Sequence, residues 1–227
     1  SQEWQECALV LRDDYKRRPE YAKAVSWRCV HDTMLRFSVL NRSDRYIQGF
    51  LYIMLPLASV LPPDKVLGGL IEIVGALRPY GPTSGDIAEY EHHQIDVARR
   101  VSDEALLVCG GRGTAAHVAL TRNMVACAAF RHMLSLRWLF VIFGQAPRDR
   151  CALISMWDYS LHDLVHGYQR CLHALAAHMI AHWVCNHALA RHYEDPEEAL
   201  GALFEHRWCA ADVATVLRHV PPRGQVL

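Results

Sequence analysis

The stretch LHDLVHGYQRCLHALAAHMIAHWVCNH, residues 161–187, decides how this chain is read. On a helical wheel of about 100° per residue, Leu161, Leu164, Val165, Tyr168, Leu172, Leu175, Met179 and Trp183 fall within an arc roughly 100° wide. Apolar residues at that spacing predict an amphipathic helix with one buried stripe. His162, His166, His173 and His187 line one flank of the stripe, and Cys171, His178, His182 and Cys185 line the other. With His192, this run holds half of the chain's 14 histidines. Placed at the edges of a buried face, such imidazoles are expected to be half covered and hydrogen-bonded to their neighbours.

Outward from this run, the pattern is helical throughout, with no sustained two-residue alternation that would argue for a sheet. The expected elements are 2–17, 19–39 opened by Pro19, 44–60, 64–78, 86–108, 114–143, a long segment 147–193 bending near Gly167, 196–206 and 210–220. Asp86 and Glu89 have capping-box spacing, and Thr114 can cap the helix that follows the turn Gly110-Gly111-Arg112-Gly113. The apolar run from Phe50 to Leu61 contains Pro56 and is too short to span a bilayer, so it reads as a core helix. The expectation is therefore an all-α protein: a single globular bundle of about eight or nine helices, residues 1–227, with a long central segment and a soft boundary at 79–86.

The chain has 227 residues, 52% of them hydrophobic, enough for a substantial core. Its 24 Lys+Arg balance 24 Asp+Glu, which removes any global pull toward nucleic acid or anionic membrane. Eight scattered cysteines without a C-x-x-C suit reduced thiols and a cytoplasmic or nuclear location. Ser1 in place of an initiator Met suits a domain of a longer chain.

The residues that could carry chemistry follow from spacing. His178 and His182 lie four apart on one helix face and, with Cys185 a turn further, could hold a zinc ion completed by ligands from elsewhere, among them His132, Cys127 or Cys209. Arg12, Lys16, Arg17 and Arg18, with Lys23, Arg28, Trp4 and Trp27 nearby, could contact a nucleic-acid backbone, although Asp13, Asp14 and Glu20 interrupt the patch.

Two pairings resemble known metal families. Glu89-x-x-His92 and Asp163-x-x-His166 are similar to the carboxylate–histidine pairs that hold two iron ions in ferritin-like bundles, but both face away from the expected apolar stripes. His162-Asp163 resembles the paired signature of HD-type metal phosphohydrolases. That resemblance would imply a metal-dependent phosphohydrolase, with His132 upstream and Asp195 or Asp212 downstream as partners.

With no inward-facing catalytic set, the first expectation is a helical protein-interaction or assembly module, binding another protein or a second copy of itself. No bound cofactor, nucleic-acid partner or membrane span is expected. The alternatives are the HD-like phosphohydrolase or a zinc-stabilised domain using the 162–192 cluster, and a nucleic-acid-binding domain using the 12–28 junction.

Overall fold

The computed structural model describes residues 2–40, 49–80, 87–147, 149–164, 166, 168–188 and 195–223, the side chains of residues 2–3, 79 and 87–90 excepted. Among them are eleven α-helices: α1 (Gln2–Lys16), α2 (Trp27–Leu40), α3 (Phe50–Val60), α4 (Pro63–Leu77), α5 (Ile87–Arg112), α6 (Ala115–Ala126), α7 (Ala128–Met133), α8 (Arg150–Leu164), α9 (Arg170–Trp183), α10 (Pro196–Glu205) and α11 (Ala210–His219). The all-α class is as expected, and the count exceeds eight or nine because two expected elements divide. The 114–143 segment breaks at Cys127, whose backbone is extended, and then passes into a π-helical turn, Leu134–Leu139. The 147–193 segment ends its first helix at Leu164 and starts again at Arg170; Gly167 itself lies outside the described residues. Asp163 makes the restart possible, its Oδ2 accepting the Cys171 N–H at 3.0 Å across the break. The expected glycine turn also moves: α5 continues through Gly110 and Gly111, and the chain turns at Gly113. A Cβ there would sit 2.8 Å from the Cys109 carbonyl oxygen and 2.7 Å from His117 Cβ, so only glycine fits.

Two compact units emerge, Ser1–Ala76 and Leu77–Leu227. In the first, α1 packs on α2 and α3, and seven of the eleven α3 residues are buried, as suits a core helix. No helix among the described residues is long and apolar enough to cross a membrane.

The second unit is organised around α9, which packs against α5, α8 and α11. Every α9 residue after Arg170 is buried, which corrects the expectation of a one-sided stripe. The reason is the set of alanines Ala174, Ala177 and Ala181. They are too small to mark a face on the wheel, yet they let neighbouring helices approach and cover the side opposite the leucines. The flank histidines are carried inside with them, leaving His173, His178 and His182 only 8%, 5% and 7% exposed.

A buried reversal completes this frame. Ile142 and Phe143 adopt φ of 46° and 57°, a left-handed conformation that is costly for a β-branched residue. The Trp157 indole N–H donates to the Ile142 carbonyl at 2.7 Å and holds the reversal. It presents the Ala146 carbonyl to the Trp208 N–H at 3.0 Å, and an isolated Pro147–Trp208 bridge forms there.

Candidate metal centre

Three imidazoles and a carboxylate converge near the C-terminal end of α9. His182 comes from its last turn. The chain then winds as a π-helical turn, Val184–Ala188, in which each N–H bonds five residues back instead of four. In a regular α-helix residues five apart lie about 140° from each other. The π turn brings His187 round to the same face as His182, their ring centroids 5.9 Å apart. His206 arrives on the short link between α10 and α11, which is pinned by Trp208 N to Ala146 O and by Arg207 Nη1 to Gln145 O at 2.6 Å. Its ring lies 4.6 Å from that of His187.

Asp212 supplies the acid. It is the third residue of α11, and its Oδ2 accepts from the backbone N–H of the cap residue Cys209 at 3.3 Å and from Cys209 Sγ at 3.1 Å. That capping box fixes the carboxylate with Oδ1 3.8 Å from His182 Nε2 and 4.0 Å from His187 Nε2, and Oδ2 3.7 Å from His206 Nε2. His182 Nε2 and His187 Nε2 are buried without a hydrogen-bond partner. Ligand atoms of His182, His187 and Asp212 all lie within 4.8 Å of one another. Tetrahedral zinc with bonds of about 2.0–2.1 Å separates its donor atoms by roughly 3.4 Å. The imidazole–carboxylate distances of 3.7–4.0 Å would contract by a few tenths of an ångström around such an ion; within the trio the separations reach at most 4.8 Å, and His206, outside that trio, would move in further.

The chain matches no known protein family, curated protein or solved structure.

The electrostatics suit a cation. Burial holds the His182 imidazole below its ordinary range, outweighing the opposite pull of Asp212. Burial alone would raise Asp212, but the two Cys209 hydrogen bonds and the adjacent His187 and His182 bring it below the usual carboxylate range. At neutral pH His182 is therefore an uncharged base and Asp212 an anion, the forms that ligate metal. Asn186 Nδ2 lies 3.2 Å from His182 Nδ1 and donates to the His182 carbonyl at 2.8 Å. Ligation through Nε2 requires the tautomer with hydrogen on Nδ1, so the Asn186 amide must turn its oxygen toward that ring and give up its hydrogen bond to the His182 carbonyl.

Of the residues singled out from sequence for the zinc site, only His182 belongs to this cluster. His178 Nδ1 is engaged by Arg112 Nη2 at 2.8 Å, and its Nε2 faces Glu104 Oε1 at 3.8 Å. Cys185 interacts with the Cys109 thiol and, pushed up to about 11 chiefly by burial, keeps its proton. His132 is exposed and Cys127 donates to Glu197 at 3.7 Å, while Cys209 serves Asp212.

The HD-like set is not assembled. His162 is exposed, Asp163 caps α9, and Asp195 caps α10 by accepting from Glu197 N at 2.9 Å. Asp212 alone of that set enters the cluster. For the ferritin-like pairs, His92 and His166 are exposed and the Glu89 side chain lies outside the described residues.

In the first unit, Arg12 is exposed. Lys16 pairs with Asp13 at 3.3 Å, Arg17 with Asp14 at 3.6 Å and Arg18 with Glu20 at 3.1 Å, the Arg18 guanidinium also lying 4.3 Å over the Tyr52 ring. Three of the four expected phosphate-contacting cations thus have carboxylates beside them.

Sequence reading missed His187 as a partner of His182 because the α-helical wheel puts them on opposite flanks. It passed over His206 because nothing local singles it out. The available signal was Asp212 at the third position of α11, where an acid is favoured by the helix dipole.

Proposed function

We propose that this chain is a metal-binding helical protein that holds one divalent transition ion, zinc first, through His182, His187, His206 and Asp212. The observation that carries the reading is the convergence of three imidazole Nε2 atoms on one carboxylate at 3.7–4.0 Å, from four different positions of the fold. Imidazole nitrogen with one carboxylate oxygen suits zinc and its neighbours rather than magnesium or calcium, which take oxygen. The ion would tie the end of α9 to the start of α11, so part of its binding free energy becomes stability of this unit.

X-ray absorption at the zinc edge of the zinc-loaded full chain tests the assignment. The expected spectrum has only nitrogen and oxygen scatterers at about 2.0–2.1 Å. A sulfur shell near about 2.3 Å would move the site to Cys185 or Cys209. Failure to retain zinc through dialysis would remove the proposal.

A second reading, the interaction module, is supported by exposed apolar side chains on the first unit: Leu9 at 65%, Val39 at 70% and Leu40 at 61%. It predicts self-association or partner capture that Val39→Asp together with Leu40→Asp abolishes. A chain that stays monomeric and partnerless with native residues there would count against it.

A further inference from the structure

The metal reading leaves one nearby group without a role. Trp208 is fully buried, and its indole N–H makes no hydrogen bond to the protein. An unpaired buried donor costs about 1–3 kcal/mol, so such groups in native proteins usually have an acceptor. Two of its ring neighbours belong to the centre: the Trp208 ring lies 4.9 Å from the His206 ring, edge to face, and 5.8 Å from the His182 ring, with Trp138 a third neighbour at 6.3 Å.

Charge points the same way. A divalent ion held by three neutral imidazoles and one carboxylate keeps a net charge of about +1. In a partly buried site that excess favours one further anionic ligand. The side chains of His187 and Asp212 are the more exposed members, 32% and 22% against 7% for His182, while the three imidazole Nε2 atoms themselves are buried.

Building on the metal assignment, we propose that the ion keeps an exchangeable coordination position. A small monovalent anion or water takes it, and the ligand accepts a hydrogen bond from the Trp208 indole. The centre would then carry a fifth, exchangeable ligand that it can bind and polarise, where a closed structural site has its four protein ligands alone.

Cobalt substitution of the full-length chain provides the test, with azide as the probe. One cobalt per chain should bind, and azide should shift the visible bands saturably. In the zinc-loaded, nitrogen-15-labelled chain, one of the six tryptophan indole N–H resonances, tied to Trp208 by its proximity to the His206 ring, should move as azide is added. Trp208→Phe should weaken azide by about tenfold or more while leaving cobalt stoichiometry unchanged. The indole resonance in the unmodified chain decides the matter if that variant fails to fold.

Cobalt bands indifferent to high millimolar azide would overturn the open position and leave the metal assignment standing. Azide binding with the Trp208 resonance unmoved would overturn the role given to the indole. A chain that takes up no cobalt would overturn this inference and the metal assignment together.

Discussion

The two ends of α9 bury histidines to the same depth and use them differently. Near the N-terminal end, His173 is 8% exposed and meets Tyr80, whose hydroxyl donates to Gln169 Oε1 at 2.8 Å and leaves its oxygen to accept from His173 Nε2 at 2.7 Å. Near the C-terminal end, His182 is 7% exposed, and its Nε2 lies 3.8 Å from Asp212 Oδ1 without a hydrogen bond, its ring beside that of His187. Burial alone therefore does not mark a site. At one end the polar requirement is met by the protein, and at the other the His182 and His187 Nε2 atoms face a carboxylate without a hydrogen bond, the arrangement on which the metal proposal rests.

The largest expected effect separates the ends by metal. Adding a strong chelator to the zinc-loaded chain should lower the melting temperature by roughly 10 °C, the effect of about 4 kcal/mol lost from a domain of this size. The same chelator should change nothing in a His187→Gln variant, because that variant should hold no zinc. A melting temperature that ignores the chelator in the zinc-loaded wild type would erase the contrast.

Next comes pH, which sharpens the Tyr80 end. Burial, followed by the charges of Arg100 and His93, lowers the His173 pKa from 6.5 to about 4. The unfolded chain therefore takes up this proton at a higher pH than the folded one. The contribution is present above about pH 6.5 and is lost as pH falls toward about 4, amounting to roughly 3 kcal/mol. Urea unfolding of the metal-free chain across that range should show this loss, and His173→Gln should reduce it. An unchanged slope in the variant would contradict the assignment.

Tyr80→Phe is a smaller perturbation. It leaves His173 Nε2 and Gln169 Oε1 without the hydroxyl and should cost about 1–3 kcal/mol, with zinc content unaffected. Loss of zinc in that variant would mean that the two ends are coupled. Arg170→Ala, at the exposed start of α9, should change stability by no more than about 0.5 kcal/mol in denaturant melts.

The helical class was legible because apolar spacing survives any arrangement of neighbours. Leu172, Leu175, Met179 and Trp183 are buried as the wheel requires. The wheel could not show that Ala174, Ala177 and Ala181 also face packed helices, since alanine is compatible with either side. It failed at the site for a second reason. A 100° step relates His178 to His182, but the backbone changes period after Trp183, and His187 replaces His178 as the neighbour of His182. Arg112 then takes up His178 across 66 residues of sequence, a pairing no local pattern announces. Asp212 was legible as a possible partner, but His206 reaches it only through the tertiary link of Trp208 to Ala146.

Zinc stoichiometry measured side by side in His178→Gln and His187→Gln, each purified without an affinity tag and dialysed, tests the central claim most directly. The account predicts about one zinc per chain in His178→Gln, as in the wild type, and none in His187→Gln. Zinc retained by His187→Gln and lost from His178→Gln would contradict it, returning the metal to the α-helical pair that the π turn is held here to displace.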